Sequence, residues 1–226
     1  MPEQRQYGEP TGDPTLGFES ARDLQAISEH IERSWGKVEE VYHEIVSEYV
    51  HIDIHVVRAT TERPYHVLVT SGMSDRPMHP PDGMEDCGYA ELMLALPGNW
   101  PIEKASLNNE GNYWPFRLLK KTARFPHIYR TWLWHRHTLG GSNPPKAFAP
   151  DVSFSASILS FPVRCDEAAR LLQISPEKRI VFFSLLPIYE EELLFARSQG
   201  SDALFEKLAG IGVTELIDKH RANVCR

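Results

Sequence analysis

The sequence predicts an α+β fold in which helices flank a mixed, mainly antiparallel sheet. It further predicts one compact domain over residues 18–226. A segment with helical spacing comes first, a cluster of strand-like segments follows, and the chain ends in two helical segments. That order of elements is typical of α+β proteins. Residues 1–17 are rich in proline, glycine and charge, so we expect them to form a flexible tail.

The first helix is predicted over residues 20–36. Ser20 can cap its start, Ile27 and Ile31 belong to an apolar stripe, and Gly36 can end it. The segment therefore has the start signal, the apolar face and the stop signal of an amphipathic helix.

Four strands are predicted next, at residues 37–46, 49–57, 65–71 and 88–97, and the first three show the period-two pattern of a strand. Residues 71–83 hold too much glycine, proline, serine and aspartate for regular structure and are predicted to form turns. The last of the four strands is apolar on both faces. We therefore expect it to be central and covered on both sides.

A helical segment is predicted over residues 112–134. Asn112 is its expected cap, Pro115 suits a first turn, and Pro126 should break or kink the chain. Residues 140–150 are predicted to form a loop.

Two further strands are predicted at residues 151–161 and 180–189, and residues 168–174 could pair with the second as a hairpin. The chain should end in helices over residues 187–200 and 201–212, with glycines as stop signals.

The composition is that of an ordinary soluble protein. The chain has 226 residues, of which 42% are hydrophobic and 24% charged, and a net charge of −7. An acidic balance argues against a dedicated nucleic-acid binder, and no apolar run is long enough to predict a signal peptide or a membrane span. The three cysteines are widely spaced and odd in number, which favours a reducing compartment and predicts a cytoplasmic protein.

Three enzyme motifs begin in the sequence and fail. Residues 43–47, "HEIVS", carry Ser47 where a helical zinc motif needs its second histidine. Residues 72–76, "GMSDR", carry Arg76 in place of the second glycine of a nucleophile elbow. The loop "GGSNPPK" lacks both the spacing and the Lys-Ser/Thr pair of a phosphate-binding loop. No catalytic residue and no cofactor are therefore predicted.

A metal site is the alternative that the histidines suggest. His51, Asp53 and His55 share one face of a predicted strand, and His135 and His137 form a second pair with the same spacing. If the two sets met, they would suit zinc or non-haem iron in a metal-dependent enzyme. The same alternation is found in any strand with one solvated face, and we interpret "HIDIH" as a strand whose polar face is solvated or lies along a partner groove.

Two other groups allow both a structural and a functional interpretation. The carboxylates of "YEEELL", residues 189–194, could act as acid and base, but consecutive helical residues fan out by about 100° and cannot face one pocket. Glutamates in a first helical turn also suit the helix dipole. Trp132 and Trp134, with Trp114 and Tyr129, could line a groove or pack in the core.

Four segments in matching order resemble the bacterial branch of the suppressor-of-fused domain family. These are "YHVLVTSGMSDRPM", "YAELMLALPGNWP", "WPFRLLKKTARFPHIYRTWLWHRHT" and "FFSLLPIYEEELLFARSQGSDALFEKL". The resemblance covers roughly residues 35–217. It implies a compact α/β domain with no established enzymatic activity.

The resemblance also implies inhibitory protein binding. The animal family member is a cytoplasmic regulator that grips an extended peptide, which joins a sheet as an added strand, and bacterial members are associated with toxin genes as immunity proteins. This chain ends soon after the shared domain, so the transcriptional partner of the animal protein is not carried over. The residues taken as family signature or candidate partner contacts are Ser71, Gly72, Ser74, Asp75, Trp132, Trp134, Tyr189 and Glu190.

The sequence thus leads to three hypotheses. The first is a non-catalytic module that sequesters a partner protein, such as a toxin domain encoded nearby. The second is the metal-dependent enzyme, and the third is a regulatory scaffold without a toxin partner. Of these, we expect the first.

Overall fold

Eight strands form one mixed sheet in the computed structural model, which describes residues 21–44 and 50–226. The strands are β1 (Glu40–Tyr42), β2 (Asp53–Val57), β3 (Tyr65–Ser71), β4 (Tyr89–Pro97), β5 (Thr138–Gly140), β6 (Ala156–Ser160), β7 (Leu171–Ser175) and β8 (Lys178–Ile188). The helices within the same residues are α1 (Ala21–Trp35), α2 (Glu110–Ile128), α3 (Glu190–Gln199) and α4 (Ser201–Gly210). The predicted α+β class is confirmed.

The strands lie in the order β1-β2-β3-β4-β8-β6-β5, and β7 pairs with β8 beside that path. Strands β4 and β8 are parallel, and every other strand pair in the sheet is antiparallel. The predicted hairpin between residues 168–174 and 180–189 is confirmed as β7 and β8.

The sheet splays between β4 and β8, and a segment that follows α4 fills the gap. The first half of β8 pairs with β4, whereas its second half pairs with β6. Beside the far half of β4, Ala95 N donates to the Glu215 carbonyl and Ile217 N to the Ala95 carbonyl, each over 2.9 Å. Buried Glu215 also accepts from Arg164 N over 2.7 Å. The segment at residues 215–217 therefore completes the hydrogen bonding of a central strand.

Both faces of the sheet are covered by helices. On one face, Ile27 and Ile31 of α1 share a buried cluster with Met93 of β4. On the other face, the side chains of α2 share a larger cluster with Leu92 and Leu94 of β4. The prediction that this strand is central and doubly covered is confirmed, because neighbouring residues of β4 enter opposite clusters.

The start of α2 differs from the prediction. Asn109 caps the helix by accepting from Gly111 N over 2.9 Å, so the expected cap at Asn112 is wrong. Pro115 then stands in the second turn, where it has no N–H to donate to the Gly111 carbonyl. Lys219 Nζ donates to that carbonyl instead, over 3.1 Å. A side chain from the end of the chain thus compensates for the proline.

The end of α2 also differs from the prediction. Pro126 lies inside the helix, which continues to Ile128, and residues 131–134 are not helical. The predicted helical segment over residues 112–134 is therefore too long. Pro126 has no N–H to donate to the Thr122 carbonyl, and the helix ends two residues later.

Several predicted strands are longer than those observed. Among the described residues of these segments, 37–44 contain only β1, 50–57 contain β2 and 151–161 contain β6. The predicted stop of the first helix is confirmed, since α1 ends before Gly36, whose φ is 112°. Ser20, residues 45–49 and the predicted tail at residues 1–17 lie outside the described residues. No helix within the described residues is long and apolar enough to cross a membrane.

Candidate functional site

The signature segment at residues 70–75 is a tight turn between β3 and the rest of the chain. Gly72 has a φ of 99°, in the left-handed region that favours glycine. A Cβ atom at this position would lie 1.8 Å from the His51 carbonyl oxygen, so the neighbouring backbone also requires glycine. A short 3-10 turn, Met73–Asp75, follows at once.

Glu91 is the wholly buried centre of this turn. Its carboxylate accepts from Thr70 Oγ1 over 2.5 Å, from Ser74 Oγ over 2.7 Å and from Ser74 N over 2.9 Å. Burial raises the pKa of Glu91 to about 7 in spite of these hydrogen bonds. Sequence reasoning missed this residue because a lone glutamate in an apolar strand gives no motif.

Of the signature residues in the turn, three are accounted for by these contacts. Ser71 Oγ lies 2.9 Å from His55 Nε2, Ser74 binds Glu91, and Gly72 provides the left-handed conformation. Asp75 N donates to the Gly72 carbonyl over 3.2 Å. On the other side, half-buried His127 donates from Nε2 to the Met73 carbonyl over 2.9 Å, and burial lowers the pKa of His127 to about 4. These contacts tie the turn to β2, β4 and α2.

The face of β2 that carries His51, Asp53 and His55 is buried at its centre. Asp53 and His55 are 7% and 2% exposed, so the interpretation of a solvated face is wrong for these two residues. Asp53 accepts from exposed His43 over 2.8 Å and lies 3.0 Å from His51, whereas His55 pairs with Ser71. Polar residues alternate here because they bond to one another.

The second histidine pair lies elsewhere. His135 stacks on Phe161, with the ring centroids 4.8 Å apart, and the His137 carbonyl accepts from Leu159 N of β6. Strands β3, β4 and β8 stand between β2 and β6. The two predicted sets of ligands do not converge, and no group of three or more possible ligands is arranged to hold a metal ion within residues 21–44 and 50–226.

Trp132 and Trp134 are half-buried and stack on each other, with the ring centroids 5.9 Å apart. Trp134 also contacts Phe183 of β8 edge-on, over 5.3 Å. Both rings pack against the larger core cluster. Of the two interpretations, groove lining and core packing, core packing therefore describes most of the surface of these two rings.

Tyr189 and its neighbours anchor the end of the chain. Tyr189 Oη donates to the Arg221 carbonyl over 2.6 Å, and its backbone N–H donates to Glu192 over 2.9 Å. Wholly buried Glu192 forms an ion pair with Arg221, while Glu190 is exposed. The three carboxylates of "YEEELL" therefore face different surroundings, as their helical spacing predicts.

A cleft between α2 and β5 was missed by sequence reasoning. We call it the α2–β5 cleft, and it has a volume of about 220 Å³. Its apolar lining includes Trp114, Leu118, Phe125, Leu139 and Phe148, and its basic lining comprises Arg117, Lys121 and Lys146.

Strand β5 borders this cleft and is the last strand of the sheet within the described residues. The His137 carbonyl and the Gly141 N–H bond to β6. Because bonding residues alternate in an antiparallel ladder, the N–H and C=O groups of Thr138 and Gly140 point to the open edge. No sequence pattern marked this edge, since the strand has only three residues and was predicted partly as loop.

The fold defines a class of protein: an α+β protein with an open mixed sheet. Several of the candidate residues form contacts that hold the turn after β3 and residues 215–226 in place. The family model described as "Suppressor of fused protein (SUFU)" matches residues 48–222. The chain belongs to the SUFU family.

Solved structures agree with this fold. A SUFU homologue from Neisseria gonorrhoeae FA 1090 is similar to the chain with a TM-score of 0.63 and 19% identity, over 88% of this chain and 95% of that one. A chain of the Sufu–Fu complex has a TM-score of 0.59 and 13% identity, over 89% and 91%. Drosophila Suppressor of Fused has a TM-score of 0.59 and 12% identity over 89% of this chain, which spans 50% of that protein's chain. A comparison with curated proteins finds no match.

Proposed function

We propose that this chain is a non-catalytic protein-binding module that inhibits a partner by occupying its surface, as an immunity protein neutralises a toxin domain. The observation that carries the proposal is membership of the SUFU family, one of whose members is in a solved complex with Fu. The failure of each enzyme motif in the sequence favours binding over catalysis. Among the described motif residues, His43 and Ser74 form hydrogen bonds with other side chains, and Gly72 lies against the His51 backbone.

The charge of the chain suggests the kind of partner. A net charge of −7 gives the molecule an acidic balance. Such a balance steers a basic partner, for example a nuclease toxin, and raises the association rate more than the affinity.

The open edge of β5 supports one mode of binding. An extended peptide can add to such an edge through main-chain hydrogen bonds, and side-chain pockets then give specificity. Thr138 and Gly140 supply the outward N–H and C=O groups. Alternate side chains of an added strand would lie towards the α2–β5 cleft and towards α3, whose Leu193 Cδ2 would lie 3.7 Å from a Cβ at Gly140.

Co-expression with a toxin-like protein encoded by a neighbouring gene tests the inhibitory role. We expect growth to be rescued and the two proteins to co-purify. Capture of the toxin-like protein without rescue would instead support a scaffold. The absence of both rescue and co-purification would contradict the proposal.

A backbone substitution tests the binding mode. Thr138→Pro removes an outward N–H and leaves the ladder to β6 intact, because proline is tolerated on the outer side of an edge strand. We expect it to weaken partner binding at least about tenfold, the equivalent of one hydrogen bond of about 1.4 kcal/mol. Thr138→Val is the matched control, since it keeps the N–H and should bind as the wild type does.

A further inference from the structure

The α2–β5 cleft contains a buried donor without a partner. Trp114 is 0% exposed and lines the cleft, and its indole N–H has no hydrogen-bond partner among the described residues. A buried N–H that remains unpaired costs about 1–3 kcal/mol, and such groups are rare in folded proteins. Because Trp114 lies in the wall of the cleft, its indole N–H resonance can report on a group that binds there.

Two of the three cations that line the cleft lack acidic partners among the described residues. Arg117 is paired with Glu110 and donates to the Phe148 carbonyl. Lys121 donates only to the Gly141 carbonyl, and neither Lys121 nor Lys146 has an acidic partner in the described part of the chain. Two positive charges on a protein of net charge −7 therefore remain uncompensated at one small cleft.

The size of the cleft limits what it can take. At about 220 Å³ it is smaller than the roughly 300–1,000 Å³ of pockets that hold drug-sized ligands. Its walls are the rings of Phe125 and Phe148 and the side chains of Leu118 and Leu139. The site therefore suits one group the size of an amino acid, with a small apolar body and a negatively charged end.

We infer that the α2–β5 cleft binds a carboxylate carried on an apolar group, and that this group belongs to the partner strand that adds to β5. This inference rests on the proposed function, and it adds the chemistry that the partner must carry. The carboxylate lies between Lys121 and Lys146, and the apolar part contacts Phe125. It comes either from an acidic side chain or from the C-terminus of the partner.

Small probes test the cleft without knowledge of the partner. N-acetyl-glutamate N-methylamide presents a side-chain carboxylate, N-acetyl-phenylalanine presents a terminal one, and N-acetyl-phenylalanine amide presents none. We expect the indole N–H resonance of Trp114, assigned with Trp114→Phe, to shift with at least one of the two carboxylates and not with the amide. The probe that binds more tightly shows whether the partner's carboxylate comes from an acidic side chain or from its C-terminus.

Removal of the two lysine charges tests whether they bind the carboxylate. The double variant Lys121→Gln, Lys146→Gln should bind the preferred carboxylate at least about tenfold more weakly, because a hydrogen bond to a charged group contributes about 1.5–3 kcal/mol. Lys37→Gln, Lys104→Gln removes the same charge from exposed lysines elsewhere and should leave the affinity unchanged. No shift at millimolar probe, an equal shift with the amide, or equal affinity of both double variants would overturn the inference.

The same variants separate this inference from the proposed function. If a partner binds the wild type and the Lys121→Gln, Lys146→Gln variant equally well, the inference of a carboxylate in the cleft is wrong, whereas the proposed binding function stands. If no partner binds the wild type while the probes shift Trp114 as expected, the cleft is a carboxylate site and the proposed function is wrong.

Discussion

Arg221 and Glu192 form a two-point ion pair at the end of the chain, with nitrogen–oxygen distances of 2.6 and 2.5 Å. The Glu192 side chain is 0% exposed and that of Arg221 is 8% exposed. The Arg221 guanidinium also lies over the rings of Tyr189 and Phe154, at 4.8 and 5.1 Å from the centroids. The last residues are thereby fastened to the start of α3.

Removal of the arginine should therefore destabilise the protein strongly. We expect Arg221→Met to lower the free energy of unfolding by about 3–5 kcal/mol, because it leaves a buried carboxylate without its partner. Urea denaturation measures the change. Arg226→Met breaks the exposed pair with Glu191 and should cost less than about 1 kcal/mol. Equal losses in the two variants would show that burial does not determine the effect.

A second prediction concerns Gly72. Gly72→Ala should lower the free energy of unfolding by about 3 kcal/mol or more, since it adds a collision with the His51 carbonyl to the strain of a left-handed residue. Gly83 has a similar φ of 83° but open space around it. Gly83→Ala should thus show the strain alone, about 1–2 kcal/mol. A loss at Gly72 no larger than that at Gly83 would contradict the close approach.

The buried carboxylate of Glu91 predicts a pH dependence. Because burial raises the pKa of Glu91 from an ordinary 4.5 to about 7, the folded state holds this proton more tightly than the unfolded state. The resulting stability is fully present below about pH 4.5 and is lost as the pH rises through about 7. Between pH 5 and pH 8 the wild type should lose about 2–3 kcal/mol relative to Glu91→Gln.

Comparison with Glu91→Gln isolates this effect. His127 titrates in the opposite sense, since burial lowers the pKa of His127 to about 4, but it is common to both proteins and cancels in the difference. Urea unfolding at the two pH values gives the four free energies that are needed. A difference that stays constant with pH would mean that Glu91 is ionised throughout.

A fourth prediction follows from the proline in α2. Lys219→Met should destabilise the protein by about 1–3 kcal/mol, because the Gly111 carbonyl and Asp151 both lose their donor. Adding Pro115→Ala restores an N–H that can bond to Gly111 within the helix. We expect Pro115→Ala to be more favourable in the Lys219→Met protein than in the wild type. Strict additivity of the two changes would exclude this coupling.

The sequence predicted those elements whose signals are local. Alternation and clear stop signals located β3 at residues 65–71 and β4 at residues 89–97 almost to the residue. The turn composition of residues 71–83 also marked the irregular segment that contains Gly72, a residue able to take a positive φ.

What the sequence did not predict depends on distant partners. The polar residues of β2 alternate in the same way whether water or another strand satisfies them, so the buried pairing of His55 with Ser71 left no local mark. Asn109 and Asn112 are both suitable caps, and tertiary contacts decided between them. The α2–β5 cleft joins residues from three separate segments, which no spacing rule connects.

The segment at residues 215–217 has a consequence for biosynthesis. A nascent chain that had emerged only as far as residue 210 would have a gap between β4 and β8. The backbone of Ala95 would then be hydrogen-bonded on the β3 side only. Productive folding of this sheet must therefore await the emergence of residues 215–217, and a product terminated before them would expose unpaired backbone N–H and C=O groups to proteases and to other unfinished chains.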